Sequence, residues 1–320
     1  MIPVLLITNK GDITTDFVVK SLRESQVPFY RLNTEDIGSV VILNFDLKRD
    51  FYSLTDLVLN ITIDLTKIRS VYFRRPELPP SIDGLTSSEQ LFVAGEFAES
   101  LEALYKILRN ARWLNNVEAI RGAENKIYQL QVAKKIGFLL PDSIITTDIQ
   151  EANKFYSRNE RDCIIKPIRT GSVGINDTEE GVIFTSLLKI QVEDLNRVST
   201  CPTYLQKHIP KKGDIRVTIV GDELFAVMIH SQHSDDSKVD WRKSQSKLLH
   251  SHIDLPKDIA EKCLQLTKKL SLNFGAIDLI LTSDGEYVFL EINPNGQWAW
   301  IERLVSLPIS KSITQFLIKN

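Results

Sequence analysis

Apolar residues come in short runs at the start of the chain and in longer periodic stretches after it. Ile2 to Thr8 is an apolar run closed by the turn cluster Asn9-Lys10-Gly11-Asp12, which predicts a buried first strand. Thr14 to Ser25 places Phe17, Val18 and Leu22 at helical spacing, with Thr14 or Thr15 as the cap. Phe29 to Leu32, Val40 to Phe45, Leu57 to Ile63 and Val71 to Phe73 read as strands. Strand, helix, strand at the start predicts an open α/β sheet that later gains antiparallel members. Pro76, Pro79 and Pro80 break helix and central strand alike, so the stretch from Arg75 is a connector. From Ser87 to Asn110, Leu91, Ala94, Gly95, Ala98, Leu101, Leu104, Tyr105 and Leu108 recur at spacings of three and four. They predict a long helix with one apolar face, capped by Ser87 or Ser88.

Asn115 to Glu124 reads as a loop, and the next helix runs from Asn125 to Ile136, stopped by Gly137. Cys163 to Pro167 reads as a short buried strand, Gly171 to Gly174 as a small-residue loop, Val182 to Thr185 as a strand and Leu187 to Leu195 as a helix. Thr203 to Ile209, Ile215 to Val220 and Leu224 to His230 follow as strands, the last two joined by a tight Gly221-Asp222 turn. Ser231 to Gln245 is polar without periodicity, which predicts a mobile loop able to act as a lid. A helix from Pro256 to Leu270, strands from Gly275 to Leu281 and Tyr287 to Ile292, and a helix from Ser306 to Ile318 complete the chain.

Composition narrows the class. In 320 residues, 43% are hydrophobic and 25% charged, which excludes a disordered chain and allows two or three lobes with their own cores. Lys and Arg number 39 against 41 Asp and Glu, so there is no basic excess of the kind nucleic acid demands. Cys163, Cys201 and Cys263 are odd in number and widely spaced, so neither a disulfide framework nor a CxxC zinc site is expected. His230, His233, His250 and His252 invite a zinc site, but no cysteine or carboxylate completes the set. No apolar run is long enough for a membrane span, and the first run is too short for a signal segment, so the cytoplasm is the expected compartment.

Four features then stand in order. Lys126 opens a helix. Lys166 leaves a strand toward Gly171-Ser172-Val173-Gly174. Tyr204-Leu205-Gln206-Lys207-His208-Ile209 precedes Gly213-Asp214-Ile215-Arg216-Val217. Asp278 lies in an apolar strand ahead of Leu290-Glu291-Ile292-Asn293-Pro294-Asn295-Gly296. Glu291 and Asn293 are two apart on a strand and so share a face. With Asp278 they form a small, incomplete oxygen set that suits magnesium completed by phosphate oxygens and water. Two lysines supply charge for phosphates, and a glycine-rich loop lets backbone N–H groups approach them. The segment Gln206 to Ile209 offers backbone donors and acceptors to a flat base.

The order and identity of these residues, from Lys126 to Gly296, resemble the ATP-grasp superfamily. Gly213-Asp214-Ile215-Arg216-Val217 and Glu291 to Gly296 are similar to the ribosomal protein-modifying glutamate ligases. Val71 to Pro76, Asp240-Trp241-Arg242 and Asn295 to Glu302 look like the microviridin-type peptide ligases, or graspetide synthetases. The resemblance implies an α/β fold of α+β lobes, with an N-terminal pre-ATP-grasp α/β lobe over 1–120, a central ATP-grasp subdomain over 121–201 and a C-terminal one over 202–320. The nucleotide would lie between two antiparallel sheets.

It also implies roles. ATP would be held by Lys126, Lys166, Gly171, Ser172, Val173, Gly174, Gln206, Lys207, His208, Ile209, Asp214 and Leu290, and Mg2+ by Asp278, Glu291 and Asn293. Arg216, Lys166 and Asp214 would act in catalysis. Arg74, Arg75, Trp241, Arg242, Asn295 and Gly296 would meet the substrate. The implied reaction activates Asp or Glu carboxylates of a ribosomally made precursor peptide and joins them to Ser or Thr hydroxyls as ω-esters. An ω-amide ligase, an amino-acid-adding ligase and a silent ATP-binding module remain as alternatives. Where glutamate ligases often carry a basic residue after the hairpin, this chain has His230-Ser231-Gln232-His233, which favours the peptide branch. The acidic peptide core would be drawn by Lys211, Lys212, Arg216, Arg242, Lys243, Arg74 and Arg75. A homodimer is expected from the same resemblance, and neither nucleic acid nor membrane is an expected partner.

Overall fold

The computed structural model describes residues 3–169, 172–174, 180–188, 192–235, 237–244 and 248–319. A four-stranded parallel sheet, ordered Phe29–Asn33, Val4–Thr8, Ser70–Phe73, Arg112–Trp113, organises the first lobe. Val4–Thr8 is buried throughout, as an uninterrupted apolar run requires of a strand covered on both faces. Leu5 and Ile7 face the Ser87–Ile107 helix, and Val4 and Leu6 face the Ile13–Glu24 helix. Asp12 caps the latter, its Oδ1 accepting from the Thr14 N–H at 3.2 Å, so Thr14 and Thr15 lie inside the helix they were expected to cap. The long helix likewise starts one residue earlier than expected, with Thr86 and Glu89 in a capping box.

Its apolar stripe is covered only in the second half. Leu101, Leu104 and Tyr105 are buried, whereas Leu91 is 75% and Phe92 69% exposed. The antiparallel members form a separate sheet of Val41–Asp46, Phe51–Asp56 and Ile61–Asp64. The strand expected over Leu57 to Ile63 is therefore split. Asp56 Oδ1 accepts from the N–H groups of Val58 and Leu59, turning the chain there despite its apolar residues. Asn115 to Glu124, expected as loop, contains the Val117–Ala123 helix, capped by Asn116 and too short for periodicity to reveal.

Two antiparallel sheets form the rest. One runs Ser186–Leu187, Cys163–Lys166, Thr203–Lys207, Ser143–Thr146, with the Ile149–Arg158 helix packing Ala152 and Phe155 behind it. The other runs His250–His252, Glu223–Ile229, Lys211–Val220, Phe274–Thr282, Tyr287–Asn293, backed by the Lys257–Lys269 helix. The Lys126–Ile136 helix ends at Gly137, which adopts φ 91° as a left-handed stop requires. Val182 closes a short hairpin with Ser172–Gly174, and the next strand is only Ser186–Leu187, so the Val182 to Thr185 strand is displaced at both ends. The helix expected from Leu187 to Leu195 becomes a 3-10 run over Val192–Thr200.

The closing helix expected from Ser306 begins only at Ile309 and runs to Ile318, and an unexpected helix, Ala299–Val305, precedes it and stops at Ser306, which turns left-handed at φ 57°. Ile309, Ile313 and Leu317 then pack in one core with Val18 and Leu22 of the first lobe, each worth about 2 kcal/mol of apolar burial. The two ends of the chain thus share a core.

Candidate functional site

On the five-stranded sheet, Ile215, Val217, Ile277, Leu279, Phe289 and Ile292 point into the core, so Asp214, Arg216, Asp278 and Glu291 turn to the opposite face. Register places Arg216 beside Asp278 and Asp278 beside Glu291. A bulge follows this pair, so that Asp278 opposes Glu291 while Leu279 opposes Phe289. It lets both Leu290 and Glu291 face outward after core-facing Phe289. Lys126, at the start of its helix, closes the row with Nζ 3.1 Å from Glu291 Oε2 and 3.1 Å from the Pro167 carbonyl. Two adjacent carboxylates are thereby bracketed by two cations across three strands and a helix end.

Lys126, Asp278 and Glu291 form part of the wall of a cavity of about 550 Å³ between the two antiparallel sheets, with Arg216 next to Asp278 in the ladder. Ile164, Lys166 and Gln206 to Ile209 line it from the four-stranded sheet, and Asp214, Asp278, Ile280 and Leu290 to Pro294 from the five-stranded one. Lys166 lies with Nζ 4.6 Å above the Tyr204 ring. Burial pushes its pKa down to about 8, against the opposing pull of Glu291. Nucleotide affinity is accordingly expected to be flat below about pH 8. Above it, affinity should fall by up to about tenfold per pH unit, because binding an anion then requires Lys166 to take up a proton. Calorimetry in buffers of different ionisation enthalpy reads that uptake, and Lys166→Arg should abolish it.

The two carboxylates are perturbed in opposite senses. Burial, reinforced by the charge of Glu291 and opposed by Arg216, pushes Asp278 up to about 6. Glu291, although its burial also works against ionisation, is held below the usual range by Lys126, Lys166 and Arg242. Such a pair is a donor set that a hard divalent cation would relieve, with Asn293 two positions beyond Glu291 on the same strand. Arg216 carries a complementary deficit. Its Nε is 3.2 Å from Asp278 Oδ1 but is not aimed at it, and Nε and Nη1 are both buried without a hydrogen-bond acceptor among the described residues. Orphaned guanidinium N–H groups behind a magnesium-type acid pair suit an incoming phosphoryl or carboxylate oxygen. The residues present therefore fit magnesium and a nucleotide phosphate.

Several expected contacts lie elsewhere. Arg74 is 2% exposed, with Nε 3.0 Å from Asp12 Oδ2 and Nη1 donating to the carbonyls of Asn295 (2.7 Å) and Gly296 (3.1 Å). It clamps the first lobe to the loop after Asn293 instead of meeting substrate. Gly296 is a packing residue, since a Cβ there would stand 2.3 Å from that of Ala276. Lys211 is paired with Asp214 at 2.7 Å, while burial raises the Asp214 pKa. The N–H groups of Lys207 and His208 already bond the carbonyls of Asp142 and Asp162, so two of the backbone donors expected for a base are committed. Asn293 Oδ1 also accepts from the Asn295 N–H at 2.9 Å. Gly171 lies outside the described residues, and Ser172–Gly174 form a strand of the hairpin.

The expected lid is instead tied down. Ser231, Ser237 and Asp240 are buried, and Asp240 accepts from Arg242 Nη2 at 2.7 Å and from the Thr185 N–H at 3.2 Å. Trp241 and Arg242 are thereby held on the cavity wall, with Trp241 against the Arg216 guanidinium. Sequence reasoning missed Gln129. Buried on the Lys126 helix, it donates to the carbonyls of Ala123 and Ile292 and accepts from the Ile292 N–H, which fixes Lys126 relative to Glu291. A glutamine on an apolar helix face was its only signal.

Among the described residues no helix is long and apolar enough to cross a membrane. Residues 3–121 match the family model of the MvdD pre-ATP grasp domain, and residues 123–317 that of the RimK-like ATP-grasp domain. A comparison with curated proteins returns no match. Among solved structures, the chain is similar to macrocyclase MdnC bound with precursor peptide MdnA from Microcystis aeruginosa MRC, at 29% identity and TM-score 0.88 over 98% of this chain and 99% of that one. A Chryseobacterium gregarium RiPP-associated ATP-grasp ligase in complex with ADP and a leader and core peptide matches at 29% identity and TM-score 0.90, over 99% and 96%. Macrocyclase MdnB from Microcystis aeruginosa MRC matches at 32% identity and TM-score 0.80, over 99% of both chains.

Proposed function

The chain belongs to the RimK-like ATP-grasp family, preceded by an MvdD-type pre-ATP-grasp domain, and from that premise we propose that it is an ATP-dependent ligase macrocyclising a ribosomally made precursor peptide. The peptide carries an acidic core with Ser or Thr, and the links are ω-esters between Asp or Glu carboxylates and those hydroxyls. The similarity to MdnC and to the Chryseobacterium gregarium ligase, each described with its peptide, supports the substrate class. The observation that carries the chemistry is the Arg216–Asp278–Glu291–Lys126 row, whose Lys126, Asp278 and Glu291 line the cleft while Arg216 Nε and Nη1 have no acceptor among the described residues.

In this reading ATP would supply the phosphoryl group that converts a peptide carboxylate to a reactive acyl phosphate and leave as ADP, and Mg2+ would balance the phosphate charge. The chain binds and orients. Asp278, Glu291 and Asn293 hold the metal. Lys126 and Lys166 hold phosphates, with Lys126 leaving Glu291 to do so. Gln206 to Ile209 and Leu290 cradle the base, and Asp214 fixes Lys211 beside it. Arg216 steadies the charge that develops as carboxylate and phosphate meet.

The test is the mass of an acidic, Ser/Thr-containing peptide encoded beside the gene, incubated with protein, magnesium and ATP. Loss of one water per link, only with ATP, is expected. Gain of an amino-acid residue would replace macrocyclisation by amino-acid ligation. Hydroxylamine cleaves esters and spares amides, which reads the link directly. A homodimer is part of the same proposal, supported by the uncovered Leu91 and Phe92 on the Ser87–Ile107 helix. Light scattering is expected to give twice the chain mass, and Leu91→Glu with Phe92→Glu to halve it.

A further inference from the structure

A second cavity, of about 510 Å³, opens beyond the first, at the carboxyl ends of the Val4–Thr8 and Ser70–Phe73 strands. Phe17, Arg75, Glu77, Gln297, Trp300 and Arg303 line it. Neither the Arg75 nor the Arg303 guanidinium has a hydrogen bond or ion pair among the described residues. This contrasts with Arg74, whose charge is matched by Asp12. Arg75 also sits at φ 45°, a left-handed conformation unusual for arginine. Asn9 Nδ2 holds it there by donating to its carbonyl at 2.6 Å. Burial and the neighbouring charge of Arg74 lower its pKa, as befits a cation without a counterion. Glu77 is the opposing charge on the rim.

Two observations join this cavity to the first. Trp241 lines the first and Trp300 the second, and their rings meet at 5.5 Å. The loop that carries Asn293 on one wall carries Gln297 on the other, folded by a Gly296 N–H to Asn293 carbonyl turn of 3.2 Å. The two cavities are therefore neighbours, meeting at the Trp241–Trp300 pair and at the Asn293 to Gln297 loop.

Resting on the peptide-ligase reading, we infer that the second cavity is an anchoring subsite that grips an acidic side chain of the peptide a few positions from the carboxylate being activated. Arg75 and Arg303 pair with its carboxylate, and the intervening backbone crosses the Trp241–Trp300 pair. Two forked cations without partners match a carboxylate better than any neutral group. Glu77 keeps the site from binding anions indiscriminately.

The probe is a fluorescein-labelled peptide with a threonine and two glutamates three positions apart, compared with a counterpart whose distal glutamate is glutamine. Binding is followed by anisotropy with magnesium and ADP present. Arg75→Ala and Arg303→Ala should each weaken the diacidic peptide roughly tenfold, the size of one charge-assisted hydrogen bond, and leave the glutamine counterpart unchanged. Arg75→Lys should fall between, and Glu77→Gln should tighten the diacidic peptide about threefold. ADP affinity should stay constant in all four, which also shows that they are folded. Equal affinity of the two peptides for the unaltered protein, or equal losses for both peptides in the variants, overturns the subsite.

Water loss from the gene-neighbouring peptide separates the two claims. If it persists while Arg75→Ala and Arg303→Ala bind the diacidic peptide normally, the ligase stands and the subsite falls. If carboxylate-dependent binding through Arg75 and Arg303 holds while no peptide loses water, the subsite stands and the macrocyclase reading falls.

Discussion

Arg216→Ala is expected to slow ATP-dependent water loss from the peptide by two to three orders of magnitude, on the order of 3–4 kcal/mol of transition-state stabilisation. The guanidinium is nearly buried, stacked against Trp241, and has two N–H groups without acceptors. Those N–H groups find partners only when an anionic oxygen arrives, so their worth is realised at the reacting phosphate. Nucleotide affinity should change far less, because Lys126 and Lys166 lie on other elements. Arg216→Lys should recover little, since one ammonium cannot both balance Asp278 and reach the phosphoryl oxygens. Single-turnover mass spectrometry at saturating ATP measures the step. A variant that ligates at the normal rate would remove Arg216 from the reaction.

Arg74→Ala should destabilise the protein by about 3–5 kcal/mol, because it strands the Asp12 carboxylate in the interior and leaves the Asn295 and Gly296 carbonyls without their donor. A fall in melting temperature of roughly 10 °C corresponds to that loss. Arg74→Met with Asp12→Asn should regain much of it, since no lone charge is then buried. In that double variant, magnesium dependence should still be weakened, because the loop that begins at Asn293 has lost its clamp to the first lobe. Thermal unfolding and a magnesium titration of ADP formation separate the two effects. Normal magnesium dependence in the double variant would mean that the clamp serves stability alone.

Local signals carried far along this chain. The parallel first strand, the Lys126–Ile136 helix with its Gly137 stop and the Gly221 turn follow from apolar runs, caps and glycine conformations within a few residues. Where a local hydrogen bond competed with an apolar run, the run misled. Leu57 to Leu59 look like strand, but Asp56 captures two of their N–H groups and makes a turn. Ser231 to Gln245 look like free loop, because the carboxylate that ties them, Asp240, acts through the distant Thr185 N–H.

The same division runs through the site. Sequence alone determined the types and order of the charged groups, because Lys126, Lys166, Arg216, Asp278, Glu291 and Asn293 stand in motifs that can be read residue by residue. Tertiary structure alone decided which of them act together. Strand register aligns Arg216 with Asp278 and Asp278 with Glu291, a bulge turns Glu291 into the cleft, and Gln129 sets Lys126 against it. It also turned two adjacent arginines to different tasks, Arg74 buried against Asp12 and Arg75 unpaired at a second cavity. The physical reason is that side-chain identity is a local property, whereas pairing and burial depend on which distant strands and loops close around each residue.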